Sequence, residues 1–79
     1  MEVLRNKIED IFMSVFEVAN EDVDQISYQS VPTWDSIGHM IMVSELEAAF
    51  EISIDMDDVI VISNLETCIE KLQKYVQST

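Results

Sequence analysis

No lysine or arginine lies between Ile8 and Glu70, and the chain has only one cysteine and one histidine. Each scarcity excludes something. The affinity of proteins for nucleic acid and for anionic membranes rests on lysine and arginine, so neither surface is expected as a partner. Cys68 has no second cysteine with which to form an internal disulfide. One cysteine and one histidine leave too few nitrogen and sulfur ligands for a zinc site. No apolar run approaches the roughly 20 residues of a membrane-spanning helix. The first residues also lack the charged-then-apolar layout of a secretory leader. The expected compartment is the cytoplasm.

What is present is acid. Arg5, Lys7, Lys71 and Lys74 are the only basic residues, and fifteen of the sixteen Asp and Glu lie in the interval that has none, for a formal charge of −12. Such a field favours protein partners with basic patches and speeds encounter with them. Asp22 and Asp24, and the cluster Asp55, Asp57 and Asp58, do not make a calcium loop of the EF-hand kind. That loop needs a glycine at its sixth position and a glutamate at its twelfth. No metal site is expected. Seventy-nine residues, 48% of them apolar, suffice for one domain, residues 1–79, with one core, expected to be monomeric.

The hydrophobic spacing is helical. Leu4, Ile8, Ile11, Phe12 and Val15 share a stripe that Val18 extends, which predicts a first helix of about four turns. From Ala19 to Thr33 the pattern gives way to Asn, Asp, Gln, Ser and Pro32, a long connection anchored by Val23, Ile26 and Tyr28. Asp35 is placed to cap a second helix from Ser36 to about Phe50. His39, Val43, Leu46 and Phe50 form its core stripe, with Met42 and Ala49 at the edges. Ile37, Ile41, Ser44 and Ala48 fall on the opposite side, flanked by Glu45 and Glu47. Ile52 and Ile54 alternate with polar residues in a short extended stretch. Asp55–Asp58 can cap a short third helix through about Val61. Ser63 and Glu66 have the spacing of a capping box for a last helix bearing Leu65, Ile69, Leu72 and Val76. The fold class is all-α: a small bundle of three main helices and one short one, with a long loop between the first and second.

Trp34-Asp35-Ser36-Ile37-Gly38-His39-Met40 carries the functional signal. Ser36 would be the first helical residue, at the positive end of the helix dipole, where an attached phosphate is favoured. It has no evident base beside it, so it is a poor nucleophile. Trp34 and His39 fall at the positions of a hydrophobic staple. Gly38, costly in a first turn, is explained by close approach of an attached group or a partner, or by relaxed selection. With no nucleophile–base pair, metal cluster or phosphate loop, no enzyme is expected.

These residues, in this order of elements, resemble an acyl carrier protein of the phosphopantetheine-dependent type. Asp35-Ser36-Ile37 is similar to the family's Asp-Ser-Leu. Leu46-Glu47-x-x-Phe50 followed by Ile54 resembles its Leu-Glu-x-x-Phe and following aliphatic residue. The resemblance implies that a phosphopantetheinyl transferase moves 4'-phosphopantetheine from coenzyme A to Ser36. It implies that the arm's thiol holds an acyl group as a thioester. It implies further that acyl-loading and acyl-transfer enzymes with basic patches dock on the second helix, at Ile37, Met40, Ile41, Ser44, Glu45, Glu47 and Ala48. Gly38, His39, Met40 and Ile41 stand where carriers of primary fatty acid synthesis have polar or acidic residues. Trp-Asp-Ser-x-x-His looks more like freestanding carriers of polyketide, peptide or surface-glycan pathways. The alternative is a non-catalytic acidic helical adaptor that binds a basic partner without an arm.

Carboxylate self-repulsion should oppose folding at neutral pH. Millimolar Mg²⁺ or Ca²⁺, or added salt, is expected to raise the melting temperature by screening. A melting temperature indifferent to all three would show the repulsion to be compensated within the fold.

Overall fold

A computed structural model of the chain describes residues 2–76. Four α-helices follow one another: α1 (Glu2–Phe16), α2 (Ser36–Phe50), α3 (Met56–Val61) and α4 (Leu65–Val76). No strand occurs among the described residues. The long connection holds one 3-10 turn, Asn20–Asp22. The expected three main helices, one short helix and long first loop are all present.

The core ridge of α1 is the i, i+4 row Leu4, Ile8, Phe12 and Phe16, all buried. Ile11 and Val15 lie at its edge, and Val18, past the helix end, packs against the core from the loop. Phe16, absent from the sequence-based stripe, is one of the largest buried side chains. It forms an aromatic cluster with Phe12 and Trp34: the indole stacks on Phe16 at 4.3 Å and meets Phe12 edge-on at 5.3 Å. Trp34, from the end of the loop, is fully enclosed.

On α2 the buried face centres on Gly38, Met42, Val43 and Leu46. Met42 is therefore central rather than marginal, His39 and Phe50 are only half-buried, and Ala49 is exposed. The helix is apolar nearly all round, so its sequence fixes the orientation weakly.

The loop is tied at several points. Val23 and Ile26 are buried as anchors, while Tyr28 remains exposed. Its backbone N–H donates to the Ser63 carbonyl at 2.9 Å, and Ser27 pairs with Asn64 in an isolated antiparallel bridge. Thr33 Oγ1 donates to the Phe16 carbonyl at 2.6 Å, one of the carbonyls that the end of α1 leaves unpaired.

Two caps differ from expectation. Asp55 precedes α3, but its side chain makes no capping hydrogen bond; its carbonyl accepts from Asp58 and Val59 instead. The box before α4 lies one residue later than Ser63 and Glu66. Asn64 Oδ1 accepts from the Thr67 N–H at 2.8 Å, and Thr67 Oγ1 accepts from the Asn64 N–H at 3.0 Å. The reciprocal geometry is that of a capping box with threonine in place of glutamate.

The one glycine is not used for a left-handed turn. Glu17, Gln29 and Glu51 take the positive-φ positions, at 58°, 68° and 55°, the first and last just past the ends of α1 and α2. Gly38 serves close approach. A Cβ there would lie 2.0 Å from the Thr33 carbonyl oxygen. A reason for this glycine thus lies inside the fold, in the loop returning over the start of α2.

Gly38→Ala sets two effects against each other. Helix propensity favours alanine by up to about 1 kcal/mol. Overpacking costs about 1–3 kcal/mol, and the obstructing atom is backbone, itself held through Thr33. The variant is expected to lose stability, with a melting temperature lower by several degrees in a thermal scan. An unchanged or higher value would mean that the loop yields freely.

Candidate functional site

The start of α2 is built around Asp35. Its carboxylate accepts from the Gly38 N–H at 2.8 Å and its carbonyl from the His39 N–H at 2.8 Å. Ser36 is therefore the first helical residue, and it is exposed. It stands between two apolar grooves and lines both, together with Met40. One groove, about 350 Å³, lies between α2 and α3 and is walled by Tyr28, His39, Met56, Val59 and Ile60. The other, about 560 Å³ and more open, runs along the outer face of α2 past Ile37, Ile41, Ser44 and Glu45.

His39 shares the first groove with Ser36 but is not available as a base. Its Nδ1 accepts from Trp34 Nε1 at 3.0 Å, and its Nε2 lies 2.8 Å from the Val59 carbonyl oxygen. The staple spacing of Trp34 and His39 is realised as this hydrogen bond, with the two rings near-parallel and their centroids 6.2 Å apart.

The exposed strip of α2 is where its sequence spacing put it. Ile37 is 70% exposed, and Met40, Ile41, Ser44, Glu45 and Ala48 also face solvent; the long loop does not cover them. Glu47 is different. It is half-buried, and its carboxylate accepts from the Ile54 N–H at 2.9 Å, so it secures the connection to α3. Sequence reasoning missed the far side of the groove. Met56 and Ile60 on that wall are exposed large apolar groups, Ile60 by 71%, and Val61 is exposed outside the groove. A helix of six residues is too short for periodicity to reveal which face is free. The signal available was the run Val59-Ile60-Val61 directly after Asp57-Asp58, more apolar residues than one buried face of so short a helix can hold.

Charge separates along the chain. The basic side chains all lie on α1 and α4, and those with resolved contacts are engaged. Arg5 pairs with Glu9 at 3.0 Å and Glu66 at 3.3 Å. Lys74 pairs with Asp58 at 2.7 Å, and Lys7 lies over the Phe50 ring. Asp58, nearly buried, also accepts from the Tyr75 hydroxyl. The hydrogen bond from Lys74, then that from Tyr75, holds its carboxyl below the usual carboxylate range. The loop, α2 and α3 present acid and apolar groups without a cation.

No three His, Cys, Asp or Glu residues among the described ones cluster so as to hold a metal ion. Cys68 is buried, which pushes its thiol up to about 12, so it stays protonated and unreactive at neutral pH. No described helix is long and apolar enough to cross a membrane. No model of a known protein family matches the chain, and no curated protein matches its sequence.

The two faces of α2 can be tested directly. Ile41 is 48% exposed and Val43 3%. Ile41→Glu should change stability by less than about 0.5 kcal/mol, as surface substitutions do. Val43→Glu should destabilise strongly, because it puts an unpaired carboxylate in the core. Similar melting temperatures for the two variants would invalidate the assignment of faces.

Proposed function

We propose that this chain is an acyl carrier protein, with 4'-phosphopantetheine attached through Ser36. The observation that carries the reading is the placement of one exposed serine at the capped start of α2, on the ridge between two apolar grooves. A transferase can reach such a hydroxyl. The residues fit the group: the Ser36 and Ile37 N–H groups form the positive end of α2, beside the position a phosphodiester would take. Because attachment is covalent, the −12 field need not be overcome by tight electrostatic binding. When attached, the arm supplies a thiol that holds an acyl group as a thioester.

The chain's own residues then have simple duties. Asp35 caps the helix and sets the direction of Ser36. Ile37, Met40, Ile41, Ser44 and Ala48, with Glu45 on the rim, offer an apolar strip with acid beside it. That combination suits basic loading and transfer enzymes that must dock quickly and leave. A tethered arm gives each docked enzyme a high effective concentration of the acyl group. The reading places the protein in the cytoplasm, in a specialised acyl, peptide or glycan pathway. It needs no catalytic residue in the carrier.

The test is intact mass after incubation with coenzyme A and a broad-specificity phosphopantetheinyl transferase. One phosphopantetheine should be added to the native chain and none to Ser36→Ala, which should fold normally. With a cognate loading enzyme, Ile41→Glu should be modified at Ser36 but acylated more slowly. A native chain that no transferase modifies would leave the acidic adaptor, whose apolar strip needs no arm. Modification of Ser36→Ala would place the attachment elsewhere.

A further inference from the structure

The groove between α2 and α3 has two walls, and one side chain joins them. An indole N–H can only donate, so the contact from Trp34 Nε1 requires His39 Nδ1 to be unprotonated. The neutral ring then carries its proton on Nε2. The Val59 carbonyl oxygen, 2.8 Å away, can only accept. Both contacts demand the same tautomer, so the pair is self-consistent. The near-parallel setting of the Trp34 ring and the Tyr28 ring, set at a steep angle with its centroid 5.4 Å away, further fix the imidazole plane.

Val59 needs this partner. Its carbonyl lies in the last turn of a six-residue helix, where the intrahelical bonds run out. In a longer helix the Ser63 N–H would turn back to it. Here that N–H donates to Thr67 Oγ1 at 2.9 Å. On the other side α3 is tied to α4 by Asp58, through Lys74 and Tyr75. Among the described residues, the His39–Val59 bond is the one direct hydrogen bond between α2 and α3. α1 packs closely against both α2 and α4, and α3 approaches no helix to that extent.

We propose that His39 is a latch that holds α3 against α2, with the Nε2–Val59 bond as the part that releases. Its Nδ1 fixes the imidazole to Trp34 and the chain leading into Ser36. Its Nε2 fixes the opposite wall, which carries Met56 and Ile60. That bond is the one hydrogen bond spanning the groove beside Ser36 among the described residues, and it acts alongside the burial of Val59 and Ile62 in the core. The inference concerns the wall of the groove and holds whether or not Ser36 is modified.

Three measurements test it. Nitrogen-15 spectroscopy of the imidazole in the native chain, at mildly alkaline pH, should report the Nε2–H tautomer; the Nδ1–H tautomer overturns the proposal. Two variants then separate the two bonds. His39→Asn puts an acceptor near Nδ1 and keeps the Trp34 bond while losing Val59. His39→Gln puts a donor near Nε2 and keeps Val59 while losing Trp34. Amide hydrogen exchange at Val59 and Ile62 should quicken about three- to tenfold in the Asn variant, the range for losing one net hydrogen bond. It should stay near native in the Gln variant, with the α1 and α4 amides much less affected in both. Equal effects of Asn and Gln on α3, or uniform acceleration across all helices, would refute the latch. If His39→Asn does not fold, the native tautomer and the exchange of α3 in His39→Gln still decide the question.

Discussion

The fold depends on the burial of one indole. Trp34 comes from the loop, yet it stacks on Phe16, meets Phe12 edge-on and donates to His39. Burying an aromatic side chain of 150–250 Å² at about 25 cal/mol per Å² is worth roughly 4–6 kcal/mol. That is comparable with the whole net stability of about 4–12 kcal/mol expected at this length. The position of Ser36 follows from it. With Trp34 fixed in the core, Asp35 and Ser36 must emerge at the surface two residues later, at the start of α2. The Thr33 carbonyl, on the other side of Trp34, is pressed onto Gly38. One buried side chain thus sets the direction of the helix, the need for a glycine and the exposure of the serine.

The long connection between α1 and α2 delivers that indole at its end. It also crosses to the other end of the chain, where Tyr28 and Ser27 bond to Ser63 and Asn64. The scarcity of glycine has a cost here. Glu17, Gln29 and Glu51 occupy left-handed positions that glycine would take without strain. Each is a polar residue in a chain reversal, where tertiary contacts on either side determine the backbone path.

Much of this was legible in the sequence, for identifiable reasons. The bounds of α2 were readable because Asp35 is a strong cap and Phe50 closes the apolar pattern. The ridge of α1 was readable except for Phe16, which sits at the helix end where the period stops. The exposed strip of α2 was readable because Ile37, Ile41, Ser44 and Ala48 recur at helical spacing. Other features had no local signal. The partner of Gly38 is five residues back in the loop and meets it only through the turn. Glu47 has the spacing of a rim acid, and only the path of the next segment brings the Ile54 N–H to it. The cap of α4 went to Asn64 rather than Ser63, at a point where the chain bonds to Ser27 and Tyr28 of the distant first loop, contacts that no local spacing reveals.

The distribution of polar bonds divides the molecule into a firm part and a yielding part. α1, α2 and α4 share the aromatic and aliphatic core, and the cations that could steady the surface are on α1 and α4. α3 has six residues, too few to be helical in isolation. It keeps its place through the buried Val59 and, just past its end, Ile62, and through side chains lent by its neighbours: Tyr75 and Lys74 from one side, His39 from the other. The same short helix exposes Met56 and Ile60 across the groove from Ser36. The attachment of this wall is thus part apolar, through Val59 and Ile62, and part polar, through side chains that its neighbours supply. His39 joins this wall to Trp34, so the same indole that positions Ser36 also orients the side chain that holds α3.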